Sequence, residues 1–136
     1  MKRGRASESE QMATENKEAP LSFVIEVSEP WFSLIAEGKK TVEGRKGTVI
    51  WSRIKAGSKL LFMEAKEKKR IVGAKATGVT KYPSIEAYLK EEGVNACLPG
   101  VQTQEEGVAV YRSFWTNKED IVTYGVLGIR FELEAT

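Results

Sequence analysis

The segment Leu127 to Glu134 alternates strictly: Leu127, Ile129, Phe131 and Leu133 are apolar, while Gly128, Arg130, Glu132 and Glu134 lie between them. Successive side chains of an extended chain point to opposite faces, so this pattern demands a strand with one face on a core. The same period opens the foldable region, where Leu21, Phe23, Ile25 and Val27 are spaced by Ser22, Val24 and Glu26. Two half-buried strands thus bracket the chain, and what lies between them must complete a sheet. Lys59 to Glu64 reads as a strand, Lys66 to Lys69 as a hairpin loop, and Arg70 to Lys81 as a longer strand. Gly73, Ala74, Ala76 and Gly78 in that strand suit tight curvature or the close approach of another backbone. Thr41 to Gly44 is expected to be extended.

Helices fill the gaps. Ser28-Glu29-Pro30 opens one, with proline tolerated in the first turn because no amide hydrogen is needed there, and Gly38 ends it. Ser84 is the expected N-cap of a second helix running to Glu92 and stopping at Gly93. Leu98-Pro99-Gly100 is a turn. Thr103 and Glu106 have the spacing of a capping box, and the helix they open carries Val108, Tyr111 and Trp115 on one stripe beside Phe114. Phe114 and Trp115 are expected in the core. The order β-α-β-β-β-α-α-β, with curved, small-residue strands, defines an α+β protein built on a partly closed β-barrel with flanking helices.

Composition narrows the chemistry. The chain of 136 residues contains no histidine and one cysteine, Cys97. Imidazole acid–base catalysis, a His-based metal site and an internal disulfide are therefore excluded, and a Cys-based zinc site has no support. No clustered carboxylate motif suggests another metal, and no cofactor is implied. Residues 1–20 have too few large apolar side chains to offset their ordering entropy and are expected to form a flexible tail, leaving one domain over 21–136. The basic N-terminus leads into polar residues rather than an apolar signal core, and no apolar run is long enough for a membrane span. An intracellular protein, cytoplasmic or nuclear, is expected.

A net charge of +2 hides strong segregation: residues 39–81 hold thirteen lysines and arginines against Glu43, Glu64 and Glu67. Such a block either creates a local positive field or forms solvated strand edges protected by lysine. Within it lies Gly38-Lys39-Lys40-Thr41-Val42-Glu43-Gly44-Arg45. In an extended segment Glu43 and Arg45 share a face, placing an acceptor beside a planar donor fork. The pair can grip a base edge, a phosphate or a carboxamide, or simply satisfy each other. Trp31 and Trp51 flank this stretch and are the better stacking candidates, with Tyr82 at the end of the basic strand next. Arg112, beside Tyr111 on the last helix, faces either a pocket or solvent.

The spacing of Gly38, Lys40, Glu43 and Arg45 resembles the Gly-x-Lys-x-x-Glu-x-Arg signature of the ASCH family. Further likeness lies in Ile54-Lys55-x-Gly57, the strand Val72 to Tyr82, Leu98-Pro99-Gly100 and Glu106-Gly107-x-x-x-Tyr111-Arg112. The resemblance covers residues 21–134 and implies a PUA-like barrel binding RNA or a nucleotide-like small molecule, with a protein partner also compatible. Trp31, Lys40, Glu43, Arg45, Trp51, Tyr82 and Arg112 are then the ligand-binding candidates, set in a basic cleft. A small bacterial branch of similar fold hydrolyses the amide of N4-acetylcytidine. That likeness implies a catalytic Lys40 and a later carboxylate, Glu92 or else Glu91, and Glu43 beside Lys40 is taken as a further catalytic candidate. The branch has threonine where Glu43 stands, and a neighbouring carboxylate favours a charged Lys40 rather than a base. Ribonuclease activity, also attributed to the family, would draw on Lys40, Tyr82 and Arg112.

Overall fold

The structure, a computed structural model, describes residues 21–135. The expected tail at 1–20 lies outside the described residues. Five strands form one sheet in the order β1-β3-β4-β5-β2: β1 Ser22–Val27, β2 Val42–Lys46, β3 Lys59–Glu64, β4 Ile71–Tyr82 and β5 Val126–Leu133. The β1–β3 pair is parallel and the other three are antiparallel. The sheet curls until its two edges meet at a seam, where the Arg45 guanidinium on β2 donates to the Glu26 carbonyl on β1. That contact makes the barrel partly closed.

Five α-helices, in chain order, are α1 Trp31–Ala36, α2 Ile85–Glu92, α3 Val94–Cys97, α4 Gln104–Phe114 and α5 Lys118–Tyr124, and a single 3-10 turn spans Trp51–Arg53. The signals at their ends act as expected. Ser84 Oγ accepts from the Ala87 amide at 3.0 Å, and Thr103 and Glu106 complete a capping box. At α1 the cap is Glu29, whose carboxylate takes the Ser33 amide at 2.8 Å and the Ser33 hydroxyl at 2.6 Å. The short helices α3 and α5 were not expected from the sequence, because four and seven residues are too few to show helical periodicity.

The sheet buries both faces. Phe23, Ile25, Leu60, Phe62, Ile129 and Phe131 pack inside the curl, whereas Val42 and Val126 of the sheet pack with Tyr88 and Leu89 of α2 and Tyr111 of α4. Alternation on β5 therefore separates two cores rather than a core from water, with Val126 in one and Leu127 in the other. Leu133 and Leu21, expected inward, are exposed because each sits at a strand end beyond the packed layer. Small residues on β4 serve curvature: a register shift between Ala76 and Gly78 bends the strand.

Glu64 organises the β3–β4 hairpin. Its carboxylate receives the Glu67 and Lys66 amides, each at 2.8 Å, and these bonds hold its pKa below the usual carboxylate range. A group whose pKa is lowered by folding stabilises the native state above its unfolded pKa, and that contribution fades as pH falls through the folded value. Glu64→Gln should lower the urea midpoint at neutral pH, and the difference from wild type should shrink as the pH falls below the ordinary carboxylate range. A gap that stays constant across that range would show that ionisation of Glu64 contributes nothing.

Candidate functional site

Gly38 has φ of +80°, a conformation costly for any residue with a Cβ, and lets α1 end abruptly. Its amide bonds to the Ile35 carbonyl, and the amides of Lys39 and Lys40 both reach Leu34 O, at 2.9 and 3.0 Å. This turn drives Lys40 inward just before β2, leaving only 2% of the residue exposed. The Lys40 ammonium donates to Val42 O at 2.7 Å and Cys97 O at 2.5 Å, and lies 3.3 Å from Glu43 Oε1. An ammonium has three donors, and here each has an oxygen partner.

Glu43 sits between two cations. Its Oε2 accepts from Arg45 Nε at 2.9 Å, with Arg45 Nη2 also 2.9 Å away, while Oε1 faces Lys40. The pairing period of β2 puts Glu43 and Arg45 on one face, and register with Ile129 and Leu127 of β5 aims that face at the seam. Behind them the Arg45 guanidinium lies 5.4 Å from the centre of the Trp51 ring. Gly44 faces the opposite way, toward Tyr88 and Tyr111, whose hydroxyls are 2.7 Å apart. Burial pushes both phenols well above their usual pKa, and it pushes the Cys97 thiol up to about 11. At neutral pH none of the three supplies an anionic nucleophile.

The seam between β1 and β2 opens into a cavity of about 310 Å³, capped by α1 and α4. Lys40, Glu43 and Arg45 converge there with Trp31, Tyr111 and Trp115. Phe114 also lines it and is half exposed, contrary to its expected place in the core: it ends α4, where the helix overhangs the seam. Sequence reasoning missed Tyr111, Phe114 and Trp115 as lining residues, because a stripe of aromatics on an amphipathic helix looks the same whether it meets a core or a cavity.

The remaining candidates lie elsewhere. Trp51 supports Arg45 from outside the cavity. Arg112 is on the surface of α4, 3.2 Å from Glu86. Tyr82 and Glu92 hydrogen-bond to each other, and Arg130 Nη1 reaches Glu92 Oε2 at 2.6 Å. Burial, then Glu92, raises the Tyr82 pKa. Glu91 is exposed on α2. The expected basic cleft is also absent at the signature, since the charged lining is Glu26 and Glu43 against Lys40 and Arg45. Among the described residues no group of three potential metal ligands occurs, and no helix is long and apolar enough to cross a membrane.

A curled five-stranded sheet whose seam is capped by helices defines an α+β protein of the PUA-like class. The family model described as "ASCH domain" matches residues 25–133, and the chain belongs to that family. Hypothetical protein PH0355 is 34% identical, with a TM-score of 0.75 over 84% of this chain and 100% of that one. Protein PF0455 from Pyrococcus furiosus is 30% identical, with a TM-score of 0.67 over 85% and 100%. The ASCH protein of Zymomonas mobilis shares the fold alone, at 16% identity and a TM-score of 0.55, covering 82% of this chain and 66% of its own. No match was found among curated proteins.

Proposed function

We propose that the protein is an RNA-binding module that takes one unpaired base, or a free nucleoside, into the seam cavity. The observation that carries this reading is the convergence of Glu43 and Arg45 with aromatic side chains around one hollow. Its volume of about 310 Å³ is at the small end of ligand pockets, suited to a nucleoside rather than a longer segment. Trp31, Phe114 and Trp115 offer stacking surfaces, while the remaining lone pairs of Glu43 and Arg45 Nη1, which has no hydrogen bond among the described residues, offer an acceptor and a donor to a base edge. Unpaired bases are commonly recognised by that combination.

Hydrolysis is the weaker reading. The Lys40 donors are committed to Val42, Cys97 and Glu43, and Glu92 is engaged by Tyr82 and Arg130 away from the cavity lining. A general base needs a lone pair directed at substrate, and this geometry points the ammonium at protein oxygens instead.

Titration with the four ribonucleosides and N4-acetylcytidine, followed by tryptophan fluorescence, tests the proposal. At least one should bind, and Trp115→Ala should weaken it by about 1–3 kcal/mol, the usual value of a base stack. Affinity unchanged in both Trp31→Ala and Trp115→Ala would rule out the cavity as the base site.

A further inference from the structure

A second hollow shares no residue with the seam cavity. It is an open groove of about 650 Å³ between β4 and the segment 52–56, and its charged lining residues are Lys55, Lys81 and Arg130, with no carboxylate. We propose that this groove carries the sugar–phosphate backbone of the RNA strand; the identity of the ligand rests on the RNA reading above, but the site does not depend on the cavity.

Strand pairing makes the groove. β3 accompanies β4 only as far as Lys75, while β5 continues beside it to Tyr82. From Gly78 to Tyr82, β4 thus has a strand neighbour on the β5 side alone, and the opposite side opens toward Ser52, Lys55 and Ala56. Gly78 clears the floor, since a Cβ there would stand 2.8 Å from Arg130 Nη2.

Two of the three cations are held in place rather than free to sweep through solvent. Arg130 is anchored at 2.6 Å by Glu92 Oε2 and at 3.1 Å by Thr80 Oγ1. The Lys81 stem lies across two glycines: a Cβ on Gly125 or Gly47 would be 3.1 or 3.5 Å from Lys81 Cε. Neither Lys55 nor Lys81 forms an ion pair among the described residues. In the seam cavity, by contrast, both cations are bound directly to one carboxylate, Glu43. Two lysines without ion pairs beside an arginine anchored by Glu92, set along an open channel, suit a linear polyanion better than a single small anion, which would need converging buried donors. A phosphodiester chain is chosen over an acidic peptide because it is the polyanion that would carry an unpaired base to the seam cavity, and competition by polyglutamate separates the two.

The experiment measures binding of a short mixed-sequence single-stranded RNA across a salt series, with nucleoside binding measured in parallel. Lys55→Ala/Lys81→Ala should weaken RNA binding about tenfold or more at low salt. It should also flatten the log–log salt slope by about 1.4, or about 0.7 for each lost phosphate contact. Nucleoside binding should be unchanged. Lys59→Ala/Lys68→Ala removes the same charge from lysines paired with Glu134 and Glu26, and should leave affinity and slope near wild type. Equal losses in the two double variants, an unaltered slope in the first, or no RNA binding by the wild type would overturn the groove. So would displacement of RNA by polyglutamate at equal charge concentration. Nucleoside binding absent while the RNA slope still responds to Lys55 and Lys81 would remove the cavity reading and uphold the groove.

Discussion

Lys40→Ala should cost the fold about 3–5 kcal/mol, the usual penalty for removing one partner of a buried, hydrogen-bonded ion pair. The substitution strips the donor from Val42 O and Cys97 O, and leaves the Glu43 carboxylate with Arg45 as its only cationic partner. It also empties the volume of a side chain that is almost wholly buried. Small domains are stable by only about 5–15 kcal/mol, so the loss is a large share of the total. A fall in Tm of roughly 10–20 °C is expected by calorimetry. Lys40→Met should recover part of it, because methionine refills most of the emptied volume while Glu43 keeps its Arg45 partner. If Lys40→Ala instead melts like the wild type and abolishes turnover of N4-acetylcytidine or RNA, Lys40 is a catalytic amine and its role as a buried strut is wrong.

Gly44→Ala should be the most damaging single methyl added to the sheet. The new Cβ would lie 2.6 Å from Tyr88 Oη, 2.8 Å from Tyr88 Cζ and 3.1 Å from Tyr111 Cε1. Tyr88 has no room to retreat: it is fully buried, bonded to the Tyr111 hydroxyl, and edge-on to the Tyr111 ring at 5.3 Å between centroids. Overpacking of this kind costs about 1–3 kcal/mol, and losing the hydroxyl pair adds about 1 kcal/mol. Tyr111 also lines the cavity, so the displacement should weaken nucleoside binding as well as lower the denaturant midpoint. Tyr88→Phe in the same chain should relieve part of the clash. A Gly44→Ala protein as stable as wild type would mean that the strand and the tyrosine pair are free to separate.

These two residues share a short segment, yet only one of them was conspicuous in the sequence. Lys40 belongs to the Gly38–Arg45 pattern, whereas Gly44 is simply an intervening position whose importance comes from tyrosines on α2 and α4. The same division runs through the chain. Strand faces on β1 and β3, the Ser84 cap and the Thr103–Glu106 box are short-range signals, and the structure follows them closely. Leu133 and Phe114 departed from expectation because burial at the end of an element depends on whether a neighbour reaches that far.

The sequence alone determined the sheet-forming segments, the α+β class, the absence of imidazole chemistry and the sharing of one face by Glu43 and Arg45. Those properties follow from residue type and from periods of two or about four residues along the chain. Three-dimensional packing set the rest: Glu43 is flanked by both cations, α4 brings Trp115 to them, and Glu92 pairs with Arg130 elsewhere. The basic block at 39–81 was legible, but that Lys40 and Arg45 turn into the seam while Lys55 and Lys81 line an open groove was not. Even Lys40, three positions from Glu43, is held there by Cys97 O, 57 positions on, and the other outcomes are set by strand register and helix docking between distant segments. Local pattern carries no record of them.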